Sequence, residues 1–185
     1  MPLAAWYVHF TKYVRNHLIA PTDTEFDVMS EFWLADPSAA AKLATSAAGE
    51  LLRKDEARFM IEDRFRATAD ESLLAGPPRE VEIGRVKKYA VLLTRRAYST
   101  SAEFIADTRD WGQRLGTLST LTRVTIDTVK PFAGGTFPAN AILSLWPTEL
   151  FDPGILASPP HSVEAARVLT LDAYETPSEL LNDAH

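Results

Sequence analysis

The chain has 185 residues, enough for one sizeable domain or two small ones, and with 46% hydrophobic and 24% charged residues it has the composition of a soluble globular protein. Nineteen basic and 25 acidic residues give a net charge of −6, and no run of Lys or Arg exceeds two, which disfavours nucleic-acid binding. There is no cysteine, no apolar run of the ~20 residues that span a bilayer and no secretion signal at the start, so we expect no disulfides and no membrane partner, and we predict a cytoplasmic location.

Two segments of the chain share one plan. Residues 11–37 and 122–153 each contain a strand pattern, a turn-rich loop, a second strand pattern that reaches Trp33 or Trp146, and an Asp-Pro pair. Asp-Pro is typical of a helix start, because the Asp side chain caps free N–H groups and Pro is tolerated at the first helical position. The pattern predicts an internal repeat.

The first copy continues with an Ala- and Leu-rich segment that predicts a helix from about residue 38 to 57. The next ten residues alternate apolar and polar side chains, as a half-buried strand does. Residues 68–85 contain Gly-Pro-Pro and several acidic residues, which are typical of a linker. The first half, residues 1–67, therefore has the order β-β-α-β, a ferredoxin-like unit without its opening strand and helix.

The second half, residues 86–177, predicts β-α-β-β-α-β, followed by a tail over residues 178–185. Its first helix follows a capping-box pattern at Thr100 and Glu103, and its second is a Pro-broken helix over residues 152–169. The fold class is thus α+β, with tandem ferredoxin-like repeats forming antiparallel sheets of the dimeric α/β-barrel type. Because the first unit lacks a strand, an open sheet edge remains, and we expect a homodimer.

The first strand pattern, which includes "KYVRNH", has two unlike faces. Its even positions are mostly aliphatic, whereas its odd positions combine aromatic and polar side chains, as do those of the second strand. Such a mixture is typical of the lining of a small-molecule pocket. The predicted pocket contains Tyr13, Arg15, His17, Asp27, Glu31 and Trp33. Two structural alternatives stand beside it: an Arg15–Glu31 surface ion pair and a His17 side chain bonded to a loop carbonyl.

Three motifs in order resemble the EthD family: "KYVRNHL", "FDVMSEFWLADP" and "DEARFM". The residues that match are Tyr13, Asn16, His17, Phe26, Asp27, Glu31, Trp33, Asp55, Glu56 and Phe59. The resemblance covers about residues 2–66, and the second half is similar through its element pattern only. It implies a ferredoxin-like, dimeric α/β-barrel protein, whose relatives on that fold include cofactor-free monooxygenases, lactone isomerases and haem-binding members. Thr128 and Ile126 stand where the second copy would have His17 and Arg15, so the first half should hold the site.

Three functions remain open. In the first, a cofactor-independent enzyme acts on a hydrophobic, aromatic or cyclic metabolite by proton transfer, which leaves oxidoreductase, isomerase and lyase chemistry unresolved. His17 would be the acid or base, Arg15 would stabilise an oxyanion and Glu31 would orient the imidazole, while Tyr13, Asn16, Asp27 and Trp33 would bind the substrate. In the second, the protein binds a metabolite without catalysis. In the third, it is a structural dimer with a filled interior.

No cofactor is expected. His17, Asp27 and Glu31 lack a metal-ligand spacing, and no Gly-rich segment has the strand-loop-helix context of a nucleotide site. Haem would need His17 as its axial ligand. The expected partners are therefore a small hydrophobic or aromatic metabolite and a second copy of the chain.

Overall fold

The computed structural model describes residues 10–19, 25–34, 36, 38, 45–58, 65–78, 85–131 and 137–177. The strands within them are β1 (Phe10–Leu18), β2 (Val28–Leu34), β3 (Ala67–Ala75), β4 (Arg85–Arg95), β5 (Leu121–Pro131), β6 (Ala141–Pro147) and β7 (Val163–Glu175). The α-helices are α1 (Ala47–Glu56) and α2 (Ser101–Leu115), and a 3-10 turn spans Pro153–Ala157.

All seven strands join in one antiparallel sheet with the order β2-β1-β7-β4-β6-β5-β3. Its centre, β7-β4-β6-β5, comes from the second half and has the strand order of a ferredoxin-like sheet. The first-half strands flank this centre, with β1 paired to β7 on one side and β3 paired to β5 on the other. The two predicted repeats therefore share one sheet, which confirms a sheet-rich α+β fold.

The sheet curves so strongly that its two outer strands approach each other. The indole N–H of Trp33 in β2 donates a hydrogen bond of 2.9 Å to Glu71 in β3, although five strands lie between β2 and β3. We call the face that carries these two side chains the concave face, and the other the convex face. Helix α2 packs on the convex face, where Phe104 and Trp111 join the larger hydrophobic core. The molecule is thus a half-barrel whose interior is the concave face.

Strand β4 runs through the middle of the half-barrel and is buried on both faces. Side chains of a strand alternate between the faces, so a doubly covered strand has a continuous apolar run. Tyr89, Val91 and Leu93 belong to the convex core, and Ala90 and Leu92 to a smaller core on the concave face. Each fully buried Val or Leu stabilises the fold by about 1.5–3 kcal/mol.

Helix α2 begins at the predicted capping box. The Thr100 hydroxyl accepts a hydrogen bond of 3.2 Å from the backbone N–H of Glu103, and the Glu103 carboxylate accepts one of 2.8 Å from the backbone N–H of Thr100. The predicted apolar stripe is buried against the sheet. The bond from the Thr100 backbone, and next the bond from its hydroxyl, lower the pKa of the Glu103 carboxyl.

This cap gives a first testable prediction. Thr100→Ala is expected to lower the free energy of unfolding at pH 7 by about 1 kcal/mol, because it removes the acceptor at the helix start.

Since the pKa of Glu103 is lower in the folded state, its stabilising effect is present above its ordinary pKa of 4.5 and is lost as the pH falls through the folded-state value. Urea titrations of Glu103→Gln should therefore differ from wild type at pH 7 and converge with it in acid. A constant difference at every pH would contradict this account.

Two predicted elements in the described part of the chain are wrong. Residues 68–75, predicted as the start of a linker, belong to strand β3, which pairs with β5. The predicted helix over residues 152–169 is a 3-10 turn followed by β7, because the backbone ladder between β7 and β4 outweighs the helix propensity of its Ala, Glu and Arg residues.

The helix predicted over residues 38–57 is confirmed for α1, whereas part of it and residues 59–64 of the next predicted strand lie outside the described residues. The homodimer and the tandem-repeat relationship stay predictions.

Candidate functional site

One end of the concave face carries six charged side chains and two tryptophans, which we call the charged end. Its members are Lys12, Glu31, Trp33, Glu71, Lys88, Arg123, Trp146 and Glu175. Register explains the grouping, because residues directly opposite each other in neighbouring strands point to the same face. Val14 opposes Glu31 in β2 and Glu175 in β7, and Arg123 in β5 opposes Trp146 in β6.

Lys88 and Glu31 form an ion pair across the interior. Lys88 Nζ lies 2.7 Å from Glu31 Oε1, and the side chains are 2% and 20% exposed. Lys88 is in central strand β4 and Glu31 in outer strand β2, so the Glu31 carboxylate reaches over β1 and β7. Removing two charges from water costs several kcal/mol per ion before their attraction offsets it, so such a pair is weak evidence for a purely stabilising role.

Two more carboxylate–cation contacts complete the charged end. Lys12 Nζ lies 2.6 Å from Glu175 Oε2, and Arg123 Nη2 lies 3.9 Å from Glu71 Oε1. Trp146 lies between the latter group and the Lys88 pair: its ring centroid is 5.2 Å from Lys88 Nζ and 4.8 Å from Arg123 Cζ. Both distances permit cation–π attraction. Each cation of the charged end therefore has a carboxylate and an aromatic face nearby.

Beside the charged end lie two buried polar side chains that we call the polar step: Thr125 and Ser144. They are 0% and 1% exposed, and Thr125 Oγ1 and Ser144 Oγ have no hydrogen-bond partner among the described residues. Asn16 is also 0% exposed with Oδ1 lacking a described partner, but it lies at the level of Val86, on the other side of Lys88. Thr125 and Ser144 oppose each other in β5 and β6. Buried polar atoms are normally hydrogen-bonded, so the polar step is a place where water or a ligand is expected.

Beyond the polar step, the concave face becomes apolar and ends in a cleft. The apolar end is the smaller core, formed by Ala90, Leu92, Ala139, Ile142, Leu169 and Leu171. The cleft has a volume of about 150 Å³ and is lined by Glu25, Phe26, Phe65, Pro138 and Arg167. Phe26 packs against the apolar end and meets Phe65 edge-to-face, with centroids 6.2 Å apart. A cavity of this volume accommodates a molecule as large as benzene.

Strand register orders these features along the interior. Arg167 at the cleft opposes Leu92, while Ser144 of the polar step opposes Ala90, and Lys88 follows at the next concave position of β4. At ~3.4 Å per residue, each of these two steps is about 7 Å long. The cleft, the polar step and Lys88 are thus spaced over about 14 Å along the concave face.

The structure separates the predicted pocket residues, which is a correction of the sequence interpretation. Tyr13, Arg15 and His17 lie on the convex side of β1, whereas Glu31 and Trp33 lie on the concave side of β2. Tyr13 stacks on Phe32, with centroids 4.5 Å apart, and Arg15 and His17 are exposed. His17 is therefore not oriented by Glu31, and Arg15 does not face it.

The remaining predicted residues have mixed positions. Asn16, which sequence alternation places opposite to the pocket, lies on the concave face together with Glu31 and Trp33. Asp27 is exposed just before β2, and its backbone carbonyl accepts a hydrogen bond of 3.0 Å from the N–H of Leu18. Three of the seven predicted site residues thus share the interior.

Sequence reasoning missed the charged partners of Glu31 and Trp33 and the Thr125–Ser144 pair. One signal was present: Lys88 is a charged residue in a strand that is apolar on both faces, which favours a buried and functional position. Arg123 and Glu71 gave no comparable signal, because their strands contain other polar residues at the same spacing.

In the described ranges, no group of three or more His, Asp or Glu side chains is arranged to hold a metal ion. No helix in the same ranges has the length and apolar character needed to cross a bilayer.

Comparison with known proteins adds no family to this description. No protein-family model, no curated protein and no solved structure matches the chain. The features that bear on function are those of the concave face: the Lys88–Glu31 pair, the polar step and the cleft.

Proposed function

We propose that the chain is an EthD-like enzyme that binds a small, largely hydrophobic cyclic metabolite in the concave face and transfers a proton on it without a cofactor. The observation that carries this proposal is the Lys88–Glu31 pair, in which an ammonium that is 2% exposed lies 2.7 Å from a carboxylate. The carboxylate, at 20% exposure, is the more accessible of the two groups.

The chemistry of this pair suits a carbon acid next to a carbonyl. The Glu31 carboxylate accepts the proton from carbon, and the C–H electron pair moves to the carbonyl oxygen, where the Lys88 ammonium stabilises the enolate by a hydrogen bond. Glu31 then returns the proton to the same carbon or to another carbon, which gives exchange or isomerisation. In this proposal Glu31 is the base, in place of His17.

The experiment that tests it is hydrogen–deuterium exchange at the α-carbon of cyclohexanone in D2O, followed by NMR. We expect Glu31→Gln to lower the protein-dependent exchange rate by about 10²–10⁴-fold, because it removes the general base and keeps the side-chain size. His17→Gln should leave the rate unchanged. Glu50→Gln is the matched control, since Glu50 forms an exposed pair with Lys54 at 3.0 Å. Circular dichroism checks that each variant is folded.

Two results would count against this assignment. If His17→Gln abolishes exchange and Glu31→Gln does not, the convex residues of β1 carry the chemistry. If the wild-type protein does not accelerate exchange of cyclohexanone or larger cyclic ketones, the enzyme proposal fails.

The second candidate function is binding without catalysis. The distance of the cleft and the polar step from the Lys88–Glu31 pair favours it. The cleft and the polar step lie about 7–14 Å from Lys88 along β4, so a short ligand is held there without contacting the ion pair. Native mass spectrometry of the purified protein should then show a small molecule bound, in the absence of ketone exchange. The same spectrum tests the predicted homodimer.

A further inference from the structure

The polar step lies between the cleft and Lys88 along the concave face, and its two hydroxyls lack partners among the described residues. We propose that it is a binding subsite for an uncharged molecule of about one ring that carries a hydroxyl or another small hydrogen-bonding group. The inference rests on the proposed function only in placing a ligand in the concave face. It requires no catalysis.

The need for a hydrogen-bonding group follows from Thr125 and Ser144. The two residues oppose each other in β5 and β6, and their hydroxyls, in residues that are 0% and 1% exposed, have no partner among the described residues. A hydroxyl donates or accepts a hydrogen bond. A ligand hydroxyl therefore matches both groups, whereas a plain hydrocarbon matches neither.

The lack of net charge follows from the neighbouring ions. Arg123 and Lys88 each have a carboxylate at 3.9 Å or less, so the subsite offers no uncompensated cation to a ligand carboxylate. Asp127 is the next concave residue of β5 after Thr125, and it would repel an anion. A ligand ammonium gains no more, because Glu31 and Glu71 are already paired with these two cations. An uncharged ligand avoids both costs of desolvating a charge.

The size follows from the cleft and the spacing. The cleft holds about 150 Å³, the volume that accommodates one benzene ring. Its Arg167–Leu92 level is two strand residues, about 7 Å, from the level of Ser144. A single ring seated against Phe26 therefore directs one substituent towards the polar step.

Four single-ring probes test the proposal by calorimetric or NMR titration of the intact chain: phenol, toluene, benzoate and benzylammonium. We expect saturable binding of phenol, with toluene about fivefold weaker or more for the loss of one hydrogen bond, and both charged probes weaker still.

Variants separate the subsite from general effects on the fold. Thr125→Val keeps the shape of the side chain, and it should weaken phenol about fivefold and leave toluene unchanged. Thr108→Val is a matched control: Thr108 is also 0% exposed and its hydroxyl has no described partner, but it lies in α2 on the convex face. Ser144→Ala provides a second test if Thr125→Val does not fold.

The outcomes distinguish this inference from the proposed function. If phenol binding depends on Thr125 and the protein does not accelerate ketone exchange, the subsite is supported and the proposed enzyme activity is contradicted. If benzoate or benzylammonium binds more tightly than phenol, the inference that the ligand is uncharged is contradicted. Exchange that depends on Glu31, with phenol affinity unaffected by Thr125→Val or with no phenol binding at all, would overturn the subsite and assign the polar step to buried water.

Discussion

Glu31→Ala is expected to lower the free energy of unfolding by about 3–5 kcal/mol, because it leaves the Lys88 ammonium buried without the carboxylate that faces it. The carboxylate by itself contributes little to the free energy of unfolding. Its removal is costly because the Lys88 ammonium, at 2% exposure, cannot reach water. Urea denaturation measures the effect as a lower transition midpoint at an unchanged denaturant slope.

A double variant and a surface pair make this prediction specific. Replacing both Glu31 and Lys88 with Met should recover most of the loss, since two apolar side chains of similar volume remove the desolvation cost together with the attraction. Glu50→Ala, which breaks the exposed pair with Lys54, should change the free energy by no more than about 0.5 kcal/mol. Equal losses in Glu31→Ala and Glu50→Ala would show that Lys88 reaches solvent.

Trp146→Ala is expected to lower the free energy of unfolding by about 3–5 kcal/mol, as much as Glu31→Ala. The loss comes from the removed volume of a side chain that is 5% exposed. Its ring also faces Lys88 and Arg123, so about 1 kcal/mol more is expected from the lost cation–π contacts. The void should bind indole, and indole at a concentration well above its dissociation constant should restore part of the stability, as thermal unfolding measures.

Trp111 provides the comparison for Trp146. It is 6% exposed in the convex core and belongs to helix α2. Trp111→Ala should therefore lower the free energy of unfolding by a similar amount for the lost volume, without the additional loss from cation–π contacts. If Trp146→Ala costs no more than Trp111→Ala, the cations over the indole contribute nothing measurable.

Helix α2 and the convex side of the sheet were predictable from the sequence. The cap at Thr100, the stripe from Phe104 to Leu115 and the apolar run of β4 are local patterns, and local patterns determine helix ends and strand faces. Strand β7 was not readable in the same way: its Ala-, Glu- and Arg-containing start favours a helix locally, and only pairing with β4 makes it a strand.

The concave site was only partly predictable for a different reason. Alternation shows which residues of one strand share a face, but the register with the next strand decides which faces combine. Val14 opposes Glu31, so the even residues of β1 join the odd residues of β2, and His17 was assigned to the wrong side. Register depends on the connection between strands and on long-range pairing, which a single sequence does not reveal.

The pairing of β1 with β7 has a consequence for how the protein is made. Val14 pairs with Glu175, so the sheet has contacts between residues nearly a whole chain apart, and high contact order slows folding. At a translation rate of ~5–20 residues per second, the β1–β2 hairpin leaves the ribosome on the order of ten seconds before β7 is complete. During that time its β7-facing edge is open to other nascent chains, and chaperones should bind it then. A stalled or shortened message that omits β7 would leave this hairpin exposed permanently, so its products should aggregate.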